Sequence, residues 1–301
     1  MRRSFFMTPI AGILFMSLLL CHGCGTSESI VRKFKTKELY LKKKIMVFPA
    51  IDHSGLPSDK AGEVTENLIT LLKNSPRLLL CASPANPCPT TGMTLTDFGV
   101  AYYTPEILEM AGTRGINALV CIYLPPVEIS RGKGGIWPFR YATDTFKINM
   151  IVNMTDVTTG CLLLSSLDSE EMTLQSDKIK DMGKSEVLNQ VFTKTMPRLL
   201  ERQASAVIQN LEKRPWTGRI LEIRNGTLKI SAGRDVGLVP GLMFTVHEHG
   251  EAIVCRTGIT VDVPGREVGR IRISSVSDSH AMAEPEEGGP FLPGQEIVFI
   301  H

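Results

Sequence analysis

Apolar and polar positions follow two different periods along this chain, and the change between them divides it. Residues 45–51, IMVFPAI, form a short apolar run rich in branched side chains and predict a buried strand. Between 59 and 74, Ala61, Val64, Leu68, Leu71 and Leu72 recur at the spacing of one helical face. Arg77–Cys81 predicts a second strand. Residues 83–103 read as a long Pro- and Thr-rich loop. Thr104-Pro105-Glu106 then opens a helix: Thr caps, Pro suits the first position, and Glu complements the dipole. Gly115 is the expected left-handed stop, and 116–124, INALVCIYL, is the next buried strand. Alternation of strand and helix argues for a layered α/β domain.

The period then shortens to two. In 145–156, Phe146, Ile148, Met150, Val152 and Met154 share one face of a strand. A turn at 157–160 returns the chain as a partner strand over 161–167, which predicts an antiparallel hairpin at the sheet edge. Arg131-Gly132-Lys133-Gly134-Gly135 reads as a flexible tip before it. Residues 184–213 form a long amphipathic helix that Pro197 is expected to kink or split. After Lys213-Arg214-Pro215 the texture becomes short strands and tight turns, expected at 218–224, 227–231, 243–248, 252–256, 267–276 and 295–300. Asn225-Gly226 is a strong hairpin signal, and Pro240-Gly241 marks another turn. The expected fold class is therefore α/β (α+β): a mixed-sheet domain over 45–214, then a small all-β barrel over 215–301.

The amino terminus has a different layout. Arg2 and Arg3 precede an apolar run from Ile10 to Leu20, then Cys21-His22-Gly23-Cys24 and small polar residues. This is the plan of a secretory signal, and the run is short for a membrane-spanning helix. The cysteines resemble the lipobox of bacterial lipoproteins. Cys24 follows the small Gly23, whereas Cys21 follows the bulky Leu20, so Cys24 is the expected acylated residue. The alternative is a plain signal with incidental cysteines. The resemblance implies a signal over 1–23, a lipidated tether over 24–44, and a bilayer held through acyl chains on Cys24. Gly25, where Asp is absent, points by the same resemblance to the periplasmic face of the outer membrane.

Composition adds bounds. The 301 residues suit two domains, 43% hydrophobic content allows a large core, and a net charge of +2 makes no demand for nucleic acid. Lys33, Lys35, Lys37, Lys42, Lys43 and Lys44 read as a solvated linker, with a headgroup-binding patch as the alternative. Of the seven cysteines, Cys121, Cys161 and Cys255 sit in apolar runs and read as small buried hydrophobes. Cys81 and Cys88 flank a Pro-rich loop, where a disulfide would contribute about 2.5 kcal/mol by loop entropy; free thiols are the other reading.

Three segments carry a wider resemblance. KKKIMVFPAID, the helix at 59–74 and RLLLC resemble the start of a Tol translocation-type amino-terminal domain, a type also found in the curli secretion lipoprotein and in penicillin-binding-protein activator lipoproteins. INALVCIYL through INMIVNMTDVTTGCLLLSS resembles the later half of the curli lipoprotein's periplasmic domain. GRILEIRNGTLKISAGRDVGLVPGLMFTVHE with VGRIRISSVSDSHAMAE resembles the carboxy-terminal domain of flagellar assembly protein T, through Pro240, Gly241, Phe244, Val246, Gly269, Ile271 and Ile273. This implies an SH3-like barrel and a role in assembling an envelope machine, with that family's additional amino-terminal domain absent.

Catalytic signals are weak. No nucleophile elbow, phosphate loop or zincin motif stands out. His247 and His249 share a strand face, but two metal ligands lack a third. Gly132–Gly135 lacks the strand–loop–helix setting of a phosphate cradle. Asp52-His53-Ser54 are adjacent, so their side chains splay, and Glu286-Glu287 read as a solvated loop. The expectation is a non-catalytic outer-membrane lipoprotein without cofactor or small-molecule substrate. It would act as a protein-binding scaffold, with envelope proteins or a homo-oligomeric ring as partners, as in a flagellar basal body. The alternatives are a pore-forming secretion subunit resembling the curli lipoprotein, with 136–141 in its membrane hairpin, or an activator of a peptidoglycan synthase.

Overall fold

The computed structural model describes residues 40–57, 59–81, 92–248, 250–254, 260–263 and 265–299. Strand β1 (Lys43–Val47) begins two residues before the apolar run, because Lys43 and Lys44 are themselves buried. It pairs in parallel with β3 (Leu78–Cys81) on one side and β6 (Ala118–Leu124) on the other. The two-residue β2 (Ile51–Asp52) extends the parallel pairing on β6. Beyond β6 lies β8 (Tyr141–Asp156), antiparallel to it. β8 also pairs with β7 (Glu128–Gly134) and, along most of its length, with β9 (Leu162–Gln175). The sheet is thus mixed, with seven strands.

Helices α1 (Lys60–Lys73) and α4 (Lys184–Glu212) cover one face, while a one-turn helix α3 (Ser176–Ile179) links β9 to α4. Their core joins Leu68 and Leu72 of α1 and Phe192 and Leu199 of α4 to Ile45, Ile122 and Val152 of the sheet. The opposite face carries α2 (Pro105–Thr113) and a small hairpin of β4 (Met93–Leu95) and β5 (Ala101–Tyr103), where Phe48 stacks on Tyr103 at 5.3 Å.

Three expectations of this half need correction. The 83–103 loop contains the β4–β5 hairpin. α4 is a single helix through Pro197, so it is not split into two there. An interior proline costs about 3 kcal/mol, but Val191, Phe192 and Met196 before it and Leu199 and Leu200 after it are all buried on the same sheet, and that packing outweighs the lost hydrogen bond. Gly132 and Gly134 are strand residues, not tip: they pair with Thr143 and Tyr141. The Tyr141 ring lies over Gly134, where a Cβ would come within 2.7 Å of it. An aromatic cross-strand neighbour of this kind supports a glycine in a strand.

The carboxy-terminal strands close a six-stranded antiparallel barrel in the order β10 (Thr217–Arg224), β11 (Thr227–Ile230), β16 (Ala281–Gly288), β15 (Glu267–Val276), β12 (Met243–His247) and β17 (Glu296–Phe299). Asn225 and Gly226 both have positive φ, 49° and 79°, as a tight hairpin turn requires. β16 was not expected, because AMAEPEEG reads as loop. Its Ala281 and Ala283 point inward, and Pro285 falls where the β15–β16 register shifts, so its missing N–H breaks no regular ladder. Glu286 is accordingly a strand residue, held by Arg272 at 2.6 Å. β13 (Ala252–Val254) lies outside the barrel and pairs with β14 (Thr260–Asp262) as a separate ribbon. The barrel core centres on Phe244, with Trp216 and Phe299 at ring distances of 5.6 and 5.4 Å.

Candidate interaction surfaces

The sheet and the barrel belong to one compact unit, Leu41–His301, and meet at the amino ends of the parallel strands. Lys43 reaches the last turn of α4, where its ammonium donates to the carbonyls of Leu211 and Arg214. A cation there complements the negative end of the helix, although burial lowers the Lys43 pKa to about 8. Lys44 pairs with Asp235 of the barrel at 2.8 Å. These lysines are therefore packing residues and not part of a solvated linker. Asn117 Oδ1 accepts from the Lys44 amide at 2.8 Å, and its Nδ2 donates to the Thr217 carbonyl at 2.6 Å. Trp216 Nε1 donates to the Lys42 carbonyl at 3.0 Å.

One carboxylate at this junction is not comfortable. Burial first, then the charge of Asp156, raises the Glu296 pKa from the ordinary 4.5 to about 7, against the opposing pull of Arg219 and a hydrogen bond with Thr158. Between pH 4.5 and 7 the folded chain keeps a proton on Glu296 that the unfolded chain releases. Its contribution to stability therefore falls as pH rises through that window and is lost above it. Glu296→Gln is expected to raise the melting temperature at about pH 8 and change it little at about pH 5. Equal effects at both would show that Glu296 is not the titrating group.

Two features project from this frame. The β7–β8 hairpin ends in a turn closed by the Phe139 amide donating to the Ile136 carbonyl at 2.7 Å. Ile136, Trp137 and Phe139 there are 83, 79 and 83% exposed. The second feature is β9, a fourteen-residue edge strand that no other strand pairs on its outer side among the described residues. On its α4 face Arg202 holds Asp168 and Glu170, each at 2.5 Å, and Gln203 donates to the Ser166 carbonyl at 3.2 Å. On its other face Leu162 and Leu167 are open to solvent, Leu167 by 66%.

Among the described residues, those singled out by sequence lie in separate local settings. Asp52 accepts from the Ser54 amide at 2.8 Å and from its hydroxyl at 2.5 Å, a local turn. His53 lies instead against the Tyr123 hydroxyl at 3.3 Å. His247 Nδ1 lies 3.2 Å from the Gly265 carbonyl and Nε2 3.2 Å from Thr245, and His249 lies outside the described residues. Cys24, Cys88 and Cys255 also lie outside them, and with them the lipidation and the Cys81–Cys88 pairing. Cys121 is buried in β6 and Cys161 half-buried before β9. Cys81 ends β3 beside a cleft of about 400 Å³ between β1, β3 and α1. Burial pushes its thiol up, away from the reactive thiolate. The Thr65 hydroxyl in that cleft is already engaged, donating to the Ala61 carbonyl and accepting from the Ala50 amide, each at 2.9 Å. Sequence reasoning assigned no face to Leu167, because the apolar run in CLLLSSL shows no clear alternation. Among the described residues no helix is long and apolar enough to cross a membrane.

No family model matches the chain, and no curated protein does. Solved structures that resemble it include the hypothetical protein CT253 from Chlamydia trachomatis, at 15% identity and a TM-score of 0.35, over 56% of this chain and 95% of that one. The lipoprotein GNA1162 from Neisseria meningitidis resembles it at 13% identity and a TM-score of 0.25, over 57% of this chain and 99% of that one. TolB from Acinetobacter baumannii does so at 15% identity and a TM-score of 0.27, over 80% of this chain and 57% of that one. At these identities and scores the likenesses carry no statement about function.

Proposed function

We propose that the chain is a non-catalytic lipoprotein at the periplasmic face of the outer membrane, anchored through acylated Cys24, and that it works as a protein-binding scaffold in the assembly of an envelope machine. The barrel serves as an SH3-like module in this reading, and a flagellar basal-body ring is the specific assembly that its resemblance suggests. The observation that supports it most is β9. A long edge strand offers unpaired backbone donors and acceptors to another chain, and Leu162 and Leu167 supply an apolar face beside it. A neighbouring copy adding a strand there makes a heterologous contact, which gives a ring when the rotation closes.

The test has two arms. Cys24→Ala is expected to move the protein from the membrane fraction to the soluble periplasm; retention in the membrane overturns the anchor. Leu167→Asp is expected to leave thermal stability within about 0.5 kcal/mol and to abolish the oligomers or partner adducts trapped by cross-linking in intact cells. Adducts undiminished by Leu167→Asp overturn the use of β9.

A further inference from the structure

We infer that the tip of the β7–β8 hairpin is a membrane-docking element, which inserts Ile136, Trp137 and Phe139 into the interfacial layer of an anionic bilayer. This goes beyond the scaffold reading and is independent of Cys24 and β9.

Four observations carry it. The three side chains are almost fully exposed at the end of a projecting hairpin, with Tyr141 at its base 41% exposed. A single exposed apolar side chain is ordinary, but three large ones clustered in one turn mark a surface that meets a protein or a membrane. Trp and Tyr are the side chains most favoured where hydrocarbon meets headgroups. Charge completes the pattern: from Ile129 to Thr143 there are Arg131, Lys133 and Arg140 and no acidic residue. All three are exposed, although Arg131 also faces Asp144 at 3.5 Å.

The spacing fits a bilayer. Gly134↔Tyr141 is the last pair before the turn, and Lys133 and Arg131 sit one and three residues behind it. At about 3.3 Å per residue, Lys133 and Arg131 lie roughly 3–10 Å behind that last pair, while Arg140 sits next to Phe139 in the turn. A setback of that size is the depth over which an interfacial segment buries its apolar side while its cations meet anionic headgroups. The tip is convex, so a protein partner would need an acidic, apolar-floored pocket shaped to it. A fluid anionic bilayer supplies charge and apolar depth without prior shape. Depth is limited by the turn itself, whose backbone groups beyond the Phe139–Ile136 bond need water or headgroups. The contact is therefore peripheral and does not span the membrane.

The protein has two tryptophans, and Trp216 is only 4% exposed, so Trp137 reports the tip. The full chain is mixed with vesicles of phosphatidylcholine, alone or with phosphatidylglycerol, carrying brominated acyl chains. With phosphatidylglycerol, Trp137 emission is expected to shift to the blue, to be quenched by bromine, and to lose access to aqueous acrylamide. Omitting the anionic lipid or raising the salt weakens this about tenfold. Ile136→Ser and Phe139→Ser each weaken it about tenfold without altering the fold. Trp137→Phe removes the quenched component and leaves Trp216. A Trp137 equally open to acrylamide on anionic vesicles and in solution overturns the proposal. Shielding that grows with protein concentration in the absence of lipid also overturns it, and assigns the tip to a protein interface.

Discussion

Phe244→Ala is expected to destabilise the protein by about 3–5 kcal/mol. Phe244 is fully buried at the centre of the barrel, with Phe299 and Trp216 against its ring. It sits on β12, which is paired on one side by β15 at Ile271 and on the other by β17 at Phe299. A closed ladder on both sides leaves little freedom to collapse into the void, so the lost contacts are not recovered. Phe244→Leu keeps most of the volume and is expected to cost under about 2 kcal/mol. The loss should be felt beyond the barrel, because Trp216 bonds the Lys42 carbonyl just before β1. Denaturant unfolding followed by Trp fluorescence and by far-ultraviolet dichroism should therefore give one coincident, shifted transition. A separate early barrel transition, or a cost below about 1 kcal/mol, would show that the barrel and sheet do not fold as a unit.

Gly115→Ala is expected to cost about 2–5 kcal/mol, as the sum of two effects. The residue has φ +71°, a region that costs a side chain roughly 1–2 kcal/mol. Its Cβ would also lie 1.9 Å from the carbonyl oxygen of Ser231. That oxygen is backbone and cannot rotate aside. Ser231 is held by its amide donating to the Arg219 carbonyl and by its hydroxyl accepting from the Arg219 amide, each at 2.9 Å. Relief therefore requires the barrel to move off the sheet domain. Gly226→Ala is the control: its φ is +79°, but nothing lies within 4 Å of its Cβ. It should show only the backbone penalty. Equal costs at the two positions, by thermal or chemical denaturation, would mean that the close approach at Gly115 is not tight.

Much of the fold was legible because its signals are local. The helical stripe in α1, the alternation in β8, the stop at Gly115 and the hairpin at Asn225-Gly226 each depend on residues within one or two turns of chain. Where reading failed, a distant partner had overruled a local preference. Pro197 could split α4 in two, yet the sheet beneath holds both halves in one helix. Ala281–Gly288 lacks strand-forming side chains, but the barrel needs a sixth strand and small inward residues suit a narrow interior. Lys43 and Lys44 look like surface charge until the end of α4 and Asp235 appear beside them.

By itself, then, the sequence determined the alternation of elements, the change from helical to strand period near residue 125, and the shift to short strands after residue 215. These follow from backbone geometry and from which side chains avoid water. Only the tertiary structure decided which strands are neighbours, that the barrel closes through β16 and seats on the amino ends of the parallel strands, and which apolar residues stay outside. Leu167 and Phe139 have the same affinity for a core as Leu164 or Phe146. What separates them is whether packed atoms cover the position, and that depends on contacts made by residues far apart in the chain.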